Sequence, residues 1–248
     1  MATLGVVVFS LDKMKHLAQC LESVAWADHV MLLHAGCSDP AIGQEFPALT
    51  VRRLSSWRGV EKHSRDLDTD WVLWLWGDER LDSTLTGELR ALKIQPHIGS
   101  TRAYKISVRS YILNRWVEGS VWGPSPAVRL SCAKDIPCAW WEKKSDAEKI
   151  SRGYIEDRGA AELSAAVEYV QALSDFWAAQ LMQLAQPPGA LKTILASAGV
   201  KIKMLFHNRN FGRGLSGIAL SALASYCVLL SGAKMWEARH VKTPGAPE

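Results

Sequence analysis

The 248-residue sequence lacks several features that would place a chain quickly in one class. Its five cysteines form no C-x-x-C pair, and no two of its histidines have metal-ligand spacing on one helix face. The first residues show no secretory signal and begin with a predicted strand, so we expect a cytosolic chain with reduced thiols. We find no internal repeat. The length then suits one large α/β domain or a domain with an appendage.

Basic residues are concentrated towards the end of the chain. Residues 186–248 hold eight Lys and Arg against two acids, a net of +6, whereas the rest holds 21 against 23, a net of −2. A basic, apolar segment on a near-neutral body indicates an anionic partner, either membrane lipid or nucleic acid. The segment has no RNA- or DNA-binding signature and few aromatics among its basic residues, so we expect no nucleic-acid partner.

The stretch Trp71–Arg80, WVLWLWGDER, organises the predicted fold. Its apolar run is too short for an ordinary helix and suits a strand buried on both faces of a parallel sheet. The strand ends at Gly77, where the chain becomes polar. Ligands on open α/β sheets bind outside the carboxyl ends of the strands, so Asp78 and Glu79 are placed to meet a ligand or a metal. An isolated Asp-Glu pair would otherwise indicate only a surface turn.

Strands and helices alternate over the first eighty residues. Predicted strands cover Leu4–Phe9, Val30–Leu33 and Leu49–Leu54, and predicted helices cover residues 14–24 and 63–70. This βαβ pattern implies a parallel sheet with right-handed crossovers. The remaining predictions are a helix over 83–95, antiparallel strands over 103–113 and 127–131, loop and short helix over 132–160, and helices over 160–184, 190–206 and 215–239.

The predicted elements divide the chain into a sheet domain (1–159), a C-terminal helical region (160–240) and a disordered tail (241–248). The last helix has about sixteen largely apolar residues, fewer than the roughly twenty that span a bilayer, so we expect no membrane span. Two interpretations of the C-terminal helices stay open. They form a hairpin in the membrane interface, flanked by Lys and Arg, or they pack on the main domain or on a second subunit.

Several short stretches, in the right order, resemble the family-2 glycosyltransferases, most closely those that build bacterial lipopolysaccharide core and related envelope sugars. Residues 20–29 read CLESVAWADH for the family's CLESVxWADE, and residues 34–39 read HAGCSD for DSGSTD. The central strand reads WVLWLWGDER for WVLxLDADER. Further matches are Trp57-x-Gly59 with Lys62, the segment 115–130 and the tail over 206–236.

The resemblance implies an α/β fold of GT-A (Rossmann-like) type, with a mainly parallel sheet flanked by helices and a C-terminal helical extension. It also implies inverting transfer from a nucleotide-sugar donor to a glycolipid or oligosaccharide acceptor at the inner face of the membrane. The metal-binding Asp of the family's DxD-type motif falls on Asp78, an oxygen ligand of the kind that Mg²⁺ or Mn²⁺ prefers. The expected donor-binding residues are Ser10, Gly36, Ser38, Asp39, Lys62, Asp78 and Glu79.

The acceptor hydroxyl must lose a proton, so the reaction needs a general base. The matching element of the family falls on Glu142, which is therefore the expected base beside Asp78. Arg129 either contacts a phosphate or pairs with Glu118 or Asp135. The expected acceptor-binding residues are Trp122, Arg129 and Trp141.

Four polar positions of the family's site are replaced in this chain. Lys13 stands for an early Glu, His34 for the Asp after the second strand, Trp76 for the first Asp of the DxD-type motif, and Trp141 for a His. An indole donates a hydrogen bond but cannot hold a metal. Two alternatives therefore stand beside an active transferase. One is a non-catalytic relative that serves as a binding or assembly module, and the other is a metal-independent enzyme in which Lys13 or His34 supplies positive charge.

Overall fold

The computed structural model describes residues 2–12, 14–36, 46, 49–55, 60, 63, 66–94, 103–121, 125–133, 147–159, 162–184 and 189–241. Within these residues the strands are β1 (Leu4–Leu11), β2 (His29–Ala35), β3 (Leu49–Arg53), β4 (Trp71–Trp76), β5 (Glu79–Leu81), β6 (Ala103–Ile106), β7 (Val108–Ile112), β8 (Arg115–Glu118), β9 (Ala127–Cys132), β10 (Glu148–Lys149) and β11 (Ile155–Asp157). The α-helices are α1 (Leu17–Val24), α2 (Ser83–Ile94), α3 (Leu163–Leu184), α4 (Ala190–Ile202) and α5 (Leu215–His240). A π-helical turn, Lys203–His207, and a 3₁₀ turn, Asn210–Arg213, connect α4 to α5.

The main sheet has seven strands in the order β10-β6-β9-β4-β1-β2-β3. Strands β3, β2, β1 and β4 run parallel, whereas β9 is antiparallel to both of its neighbours. Helices α1 and α2 cover one face of this sheet, and α3 and α5 cover the other. The predicted fold class is therefore confirmed: a mainly parallel sheet flanked by helices, with a helical extension at the C-terminal end.

Strand β4 is buried on both faces, as its apolar run predicts. Val72, Trp74 and Trp76 lie in the core shared with α3 and α5, whereas Trp71 and Leu73 lie in the core shared with α1 and α2. This alternation is the period of two expected for a strand between two helical layers. The strand thus holds the two cores together and carries the chain to Asp78.

A second sheet of four strands, in the order β5-β11-β7-β8, starts where β4 ends. Strand β11 pairs antiparallel with β5 and parallel with β7. Strands β10 and β11 lie in the segment 132–160, which we predicted as loop and short helix, and residues 66–70 are not helical as predicted for 63–70. Strands of two or three residues are too short for an alternating pattern to reveal them.

The C-terminal helices pack on the sheet and on one another. Phe176 of α3 lies in the core with β1 and β4. Helix α5 lies between α3 and α4, because Lys234 Nζ donates to the Gln171 carbonyl at 2.9 Å and Ser197 Oγ to the Ser225 carbonyl at 2.8 Å. The division of the chain at residue 159 stays a prediction, and residues 242–248 of the predicted tail lie outside the described residues.

Helix α5 has 26 residues, more than the apolar stretch on which we based the prediction against a membrane span. It contains an 18-residue stretch with a mean hydropathy of 1.7, and by length and composition it is the one helix in the described part of the chain that could cross a membrane. Half of that stretch is buried against the rest of the protein. Core helices of globular proteins meet the same criteria, so the length of α5 alone does not indicate a span.

A buried ion pair joins β4, β5 and β9. Arg129 of β9 donates to both carboxylate oxygens of Glu79, at 2.6 and 2.9 Å, and the Trp76 N–H donates to the same carboxylate at 2.9 Å. The two side chains are 1% and 0% exposed. Burial raises the pKa of Glu79, and the guanidinium opposes that rise. A charge so far from water requires such a partner.

We expect Arg129→Met to lower the free energy of unfolding by about 3–5 kcal/mol, because it leaves the Glu79 charge buried and unpaired. Glu79→Gln in the same chain should recover part of that loss. Urea denaturation measures both changes. The matched control is Arg52→Met, whose guanidinium pairs with Asp66 while 38% exposed and should cost less than about 1 kcal/mol. Equal losses for Arg129→Met and Arg52→Met would contradict the structural role of the pair.

Candidate functional site

The carboxyl ends of β1, β2 and β4 meet at one edge of the main sheet. Ser10 Oγ lies 2.8 Å from His34 Nδ1, and His34 Nε2 lies 3.5 Å from Asp12 Oδ1. The Gly77 N–H donates to the Phe9 carbonyl at 2.8 Å, which holds the end of β4 beside the end of β1. Ligand sites of open α/β sheets form at such edges.

Gly36 follows β2 at this edge. A Cβ at this position would overlap the side chains of Asp12 and His34. The glycine therefore allows the Asp12–His34 contact to lie against the backbone, and a larger residue would displace one of these two side chains. Two of the predicted donor-binding residues, Ser10 and Gly36, are thus brought together around His34.

Asp78 lies in the turn between β4 and β5 and is 8% exposed. Its Oδ1 accepts the His16 N–H at 3.1 Å, just before α1, and its carbonyl accepts the Arg158 N–H at 3.1 Å. Burial raises the pKa of the Asp78 carboxyl, and the hydrogen bond from His16 opposes the rise. A buried carboxylate at a strand end is a candidate functional group. Burial removes water from its charge, and a ligand or cation would stabilise that charge instead.

A cleft of about 590 Å³ opens beside Asp78. The segment after β1, the Asp78 turn, the segment after β11 and the first turns of α3 form its walls. A volume of this size is typical of small-molecule sites. Its charged and titratable lining residues are Asp12, Lys15, His16, Asp78, Arg158, Glu162, Glu168 and Tyr169.

Two buried nitrogen atoms at this cleft lack a hydrogen-bond partner among the described residues. They are His16 Nδ1 and Arg158 Nε, and both residues line the cleft. Buried polar atoms are almost always paired in folded proteins, so such atoms at a cleft are candidate ligand contacts. Lys15 adds a cation that is two-thirds exposed and lies 3.5 Å from Glu162.

A second buried carboxyl, Asp157, lies behind the cleft at the end of β11. It accepts hydrogen bonds from Ser110 Oγ at 2.8 Å and from the Gly159 N–H at 3.0 Å. Burial raises its pKa to about 7, and the nearby carboxylates of Glu79 and Asp78 add to the rise. Asp157 is fully buried and does not line the cleft.

Trp76, at the position of the family's first DxD-type Asp, belongs to the aromatic core. Its ring centroid lies 5.3 Å from Phe9 and from Phe176 and 6.1 Å from Tyr169. Trp76 is fully buried and does not line the cleft, so the indole leaves the space beside Asp78 open. Trp76 therefore supplies no metal ligand at this edge and does not fill the cleft.

Glu79 and Arg129 lie at this edge without lining the cleft. We predicted Glu79 to bind the donor and Arg129 to bind the acceptor or to pair with Glu118 or Asp135, whereas the structure pairs them with each other. Glu118 is instead 3.3 Å from Arg109. The remaining predicted site residues and replacements, Lys13, Ser38, Asp39, Lys62, Trp122, Trp141 and Glu142, lie outside the described residues.

The described residues offer limited ligands for the Mg²⁺ or Mn²⁺ that the resemblance implies. No group of three His, Cys, Asp or Glu side chains within the described ranges could hold an ion. Asp78 supplies one carboxylate. Burial raises its pKa, and a bound cation would favour its ionised form. Mg²⁺ is usually held by one or two carboxylates together with substrate phosphates. Asp78 therefore fits the role of a protein ligand to an ion that a diphosphate also binds.

Among the residues that sequence reasoning missed are Lys15, His16 and Arg158 of the cleft and the buried Asp157 behind it. Asp157 follows the same signal that identified Asp78, a change from apolar to polar at a strand end, but its strand is only three residues long. Lys15 and His16 stand directly before α1, and a helix start after the first strand of a βαβ unit is a known ligand position. That signal was present in the sequence.

No family model matches the sequence. Among solved structures, the chain is similar to TarS of S. aureus, with 12% identity and a TM-score of 0.44, over 86% of this chain and 46% of that one. A structure of residues 1–349 of S. aureus TarS shows 12% identity and a TM-score of 0.42, over 98% of this chain and 93% of that one. A structure from Bacillus anthracis assigned as a glucose-1-phosphate thymidylyltransferase, in complex with sucrose, shows 13% identity and a TM-score of 0.38. The match covers 65% of this chain and 92% of that one. The chain thus spans less than half of the longer TarS structure.

We expect Asp157→Asn to change how stability depends on pH. The folded pKa of about 7 lies above the ordinary value of 3.8, so the carboxyl stabilises the fold fully below about pH 4 and loses that contribution as pH rises to about 7. The asparagine is neutral throughout. Its Oδ1 can accept the Gly159 N–H, and its amide N–H can donate to Ser110 Oγ, which donates to the Gly119 carbonyl. The difference in unfolding free energy, wild type minus variant, should therefore fall between pH 4 and 7, by at most about 1.4 kcal/mol per pH unit.

Urea melts at several pH values measure this difference. Asp175→Asn is the matched control, because its carboxylate is 60% exposed and pairs with Lys234 on the surface. Parallel pH curves for wild type and Asp157→Asn would show that Asp157 titrates as an ordinary carboxyl.

Proposed function

We propose that this protein is a glycosyltransferase that takes a sugar from a nucleotide-sugar donor and transfers it, with inversion, to a lipopolysaccharide-core or other cell-envelope glycan. The observation that carries the proposal is Asp78, a buried carboxylate at the carboxyl end of the central parallel strand, at the wall of a cleft of about 590 Å³. Its place in the fold agrees with the resemblance of the central strand to the family's motif.

The donor diphosphate would lie among the cations of the cleft. Arg158 and Lys15 carry positive charge there, and His16 contributes a ring nitrogen without a partner among the described residues. Charge-assisted hydrogen bonds to phosphate oxygens are the strong kind. The cleft also holds four carboxylates, Asp12, Asp78, Glu162 and Glu168, so a dianionic donor needs further positive charge beside Asp78.

A divalent cation, Mg²⁺ or Mn²⁺, held by Asp78 and the donor phosphates would supply that charge and stabilise the diphosphate as it leaves. Arg158 and Lys15 would hold the phosphates on the other side. The backbone N–H of His16 keeps one Asp78 oxygen oriented, which leaves the other for binding.

The transfer is proposed as a single displacement at the anomeric carbon. The acceptor oxygen forms the new bond as the bond to the diphosphate breaks, and the acceptor proton passes to a general base. Glu142 is the proposed base, with Trp122 and Trp141 beside the acceptor. The proposed acceptor is a glycolipid or oligosaccharide, reached by a cytoplasmic protein at the inner face of the membrane.

The alternative, a binding or assembly module without catalysis, rests on the replacements Lys13, His34, Trp76 and Trp141, of which the structure describes His34 and Trp76. In the described residues the Trp76 ring lies in the core and leaves the cleft open, and His34 pairs with Ser10 and Asp12. Both replacements are thus compatible with a ligand in the cleft. Release of the nucleoside diphosphate from a bound donor separates the two functions.

We expect isothermal titration to show that a nucleoside diphosphate binds this protein with Mn²⁺ and that Asp78→Asn weakens the binding by about tenfold or more, roughly 1.4 kcal/mol. The variant should melt no lower than wild type, because the amide replaces a carboxyl whose pKa burial raises. Asp175→Asn, an exposed carboxylate on α3, is the control and should bind as wild type does.

A thermal-shift panel of UDP-, GDP- and CMP-sugars identifies the donor, because a ligand that binds only the folded state raises the melting temperature. Binding without turnover in the presence of acceptor glycans would favour the binding module. If no nucleotide binds, or if Asp78→Asn binds as tightly as wild type, the proposed donor site is wrong.

A further inference from the structure

Helix α4 carries its large apolar side chains on the outside of the protein. At 3.6 residues per turn, positions 191, 194, 195 and 202 share one face of the helix. The opposite face packs on α5 through the small side chains of Thr193 and Ser197. A surface helix of a globular protein normally turns its apolar face inward, so α4 shows the reverse arrangement. The outward side chains, 54% to 70% exposed, are Leu191, Ile194, Leu195 and Ile202.

The seam between α4 and α5 is built from small residues. Ser197 Oγ lies 2.8 Å from the Ser225 carbonyl, and Ser225 Oγ donates to the Ser197 carbonyl at 3.0 Å. A Cβ on Gly232 would overlap Thr193, so the two helices approach closely there. Close packing through Ser, Thr and Gly is typical of helix pairs in membranes, where the large apolar side chains can face lipid. The seam therefore leaves the outer face of α4 free for a partner.

The turn that follows α4 continues the apolar surface. Phe206 and Phe211 stack with centroids 6.3 Å apart, and both rings are about two-thirds exposed. Leu215, at the start of α5, is 72% exposed. Stacked aromatic rings in water are costly to leave uncovered, whereas such rings are favoured at the boundary between lipid and water.

Exposed cations flank this apolar face. Lys192 and Lys201 lie roughly 80–100° to its two sides, and Lys203 and Arg209 follow at the turn. Across residues 189–241, all of which the structure describes, Glu237 is the single acidic residue. An apolar stripe with a lysine on each side matches an interface in which acyl chains meet anionic headgroups.

We infer that the outer face of α4 and the following turn form a membrane-docking surface that lies in the interface of an anionic bilayer. Its apolar residues enter the boundary of the acyl chains, and the flanking lysines contact lipid phosphates. This surface does not include Asp78 or the cleft, so the inference stands whether or not the proposed donor site is correct.

The test is flotation of the full chain with vesicles of phosphatidylglycerol and phosphatidylethanolamine, compared with phosphatidylcholine alone. We expect the wild type to float with the anionic vesicles. Leu195→Glu and Phe206→Glu should each lower the partition coefficient about tenfold or more, since each removes a large apolar side chain from the lipid boundary. Leu163→Glu, an exposed leucine at the start of α3, is the matched control and should float as wild type does.

A second set of variants tests the charges separately. Lys201→Gln and Lys203→Gln should each weaken binding to anionic vesicles about fivefold. Raising the salt from about 0.1 M to about 1 M should weaken wild-type binding as well. Circular dichroism melts of all variants should match wild type, because the changed side chains are exposed.

Three results would overturn the inference: no flotation of the wild type, flotation of the apolar variants equal to wild type, or a second copy as the true partner. The last is recognised by gel filtration without lipid. A wild-type dimer that Phe206→Glu converts to a monomer, together with no vesicle binding, would assign this surface to self-association.

Discussion

The position of the candidate site depends on a buried charge that the fold must neutralise. Glu79 is fully buried one residue after Asp78, and the Arg129 guanidinium donates to both of its oxygens. Because Arg129 lies on β9 and Glu79 on β5, the pair fixes where the second sheet starts relative to the first. This constraint also fixes the turn that carries Asp78. The buried Glu79–Arg129 pair therefore also positions Asp78, the neighbouring carboxylate that lines the cleft.

The alternation of strands and helices predicted the parallel part of the sheet well. The boundaries of β4 agree with the apolar run Trp71–Trp76, because a strand buried on both faces is apolar throughout. The short strands β5, β10 and β11 escaped prediction, since two or three residues show no period and are stabilised by their partners in the sheet. The local sequence does not indicate which distant strands these short strands pair with.

At the site, the sequence identified the strand ends but not which side chain faces the cleft. Asp78 and Glu79 are neighbours in a polar turn, and only their packing separates a cleft residue from a buried ion pair. The sequence also predicts that Arg129 contacts a phosphate or pairs with Glu118 or Asp135, because nothing local indicates that the sheet brings it beside Glu79. Likewise, a Cβ on Gly36 would overlap Asp12 and His34, a constraint that appears only when β1 and β2 lie side by side.

Trp76 explains how a site can change while its fold persists. Position 76 points to the core between the sheet and α3, where Phe9, Tyr169 and Phe176 surround it. A carboxylate there would meet aromatic rings instead of water, so a single substitution could not restore the family's ligand without a large desolvation cost. In the proposed donor site, Asp78 and the cations of the cleft would therefore bind the ligand without a carboxylate at position 76.

The three C-terminal helices connect the two proposals through their packing. The start of α3 lines the cleft, α3 packs on α5, and α5 packs on α4 through the serine seam. The helix that would touch lipid is thus joined to the helix that walls the cleft by one intervening element. An acceptor carried by a lipid stays near the bilayer, so an enzyme held there by α4 gains effective concentration without any added contact in the cleft. If both proposals hold, the outward apolar face, costly for a protein in water, would bring the cleft close to its acceptor.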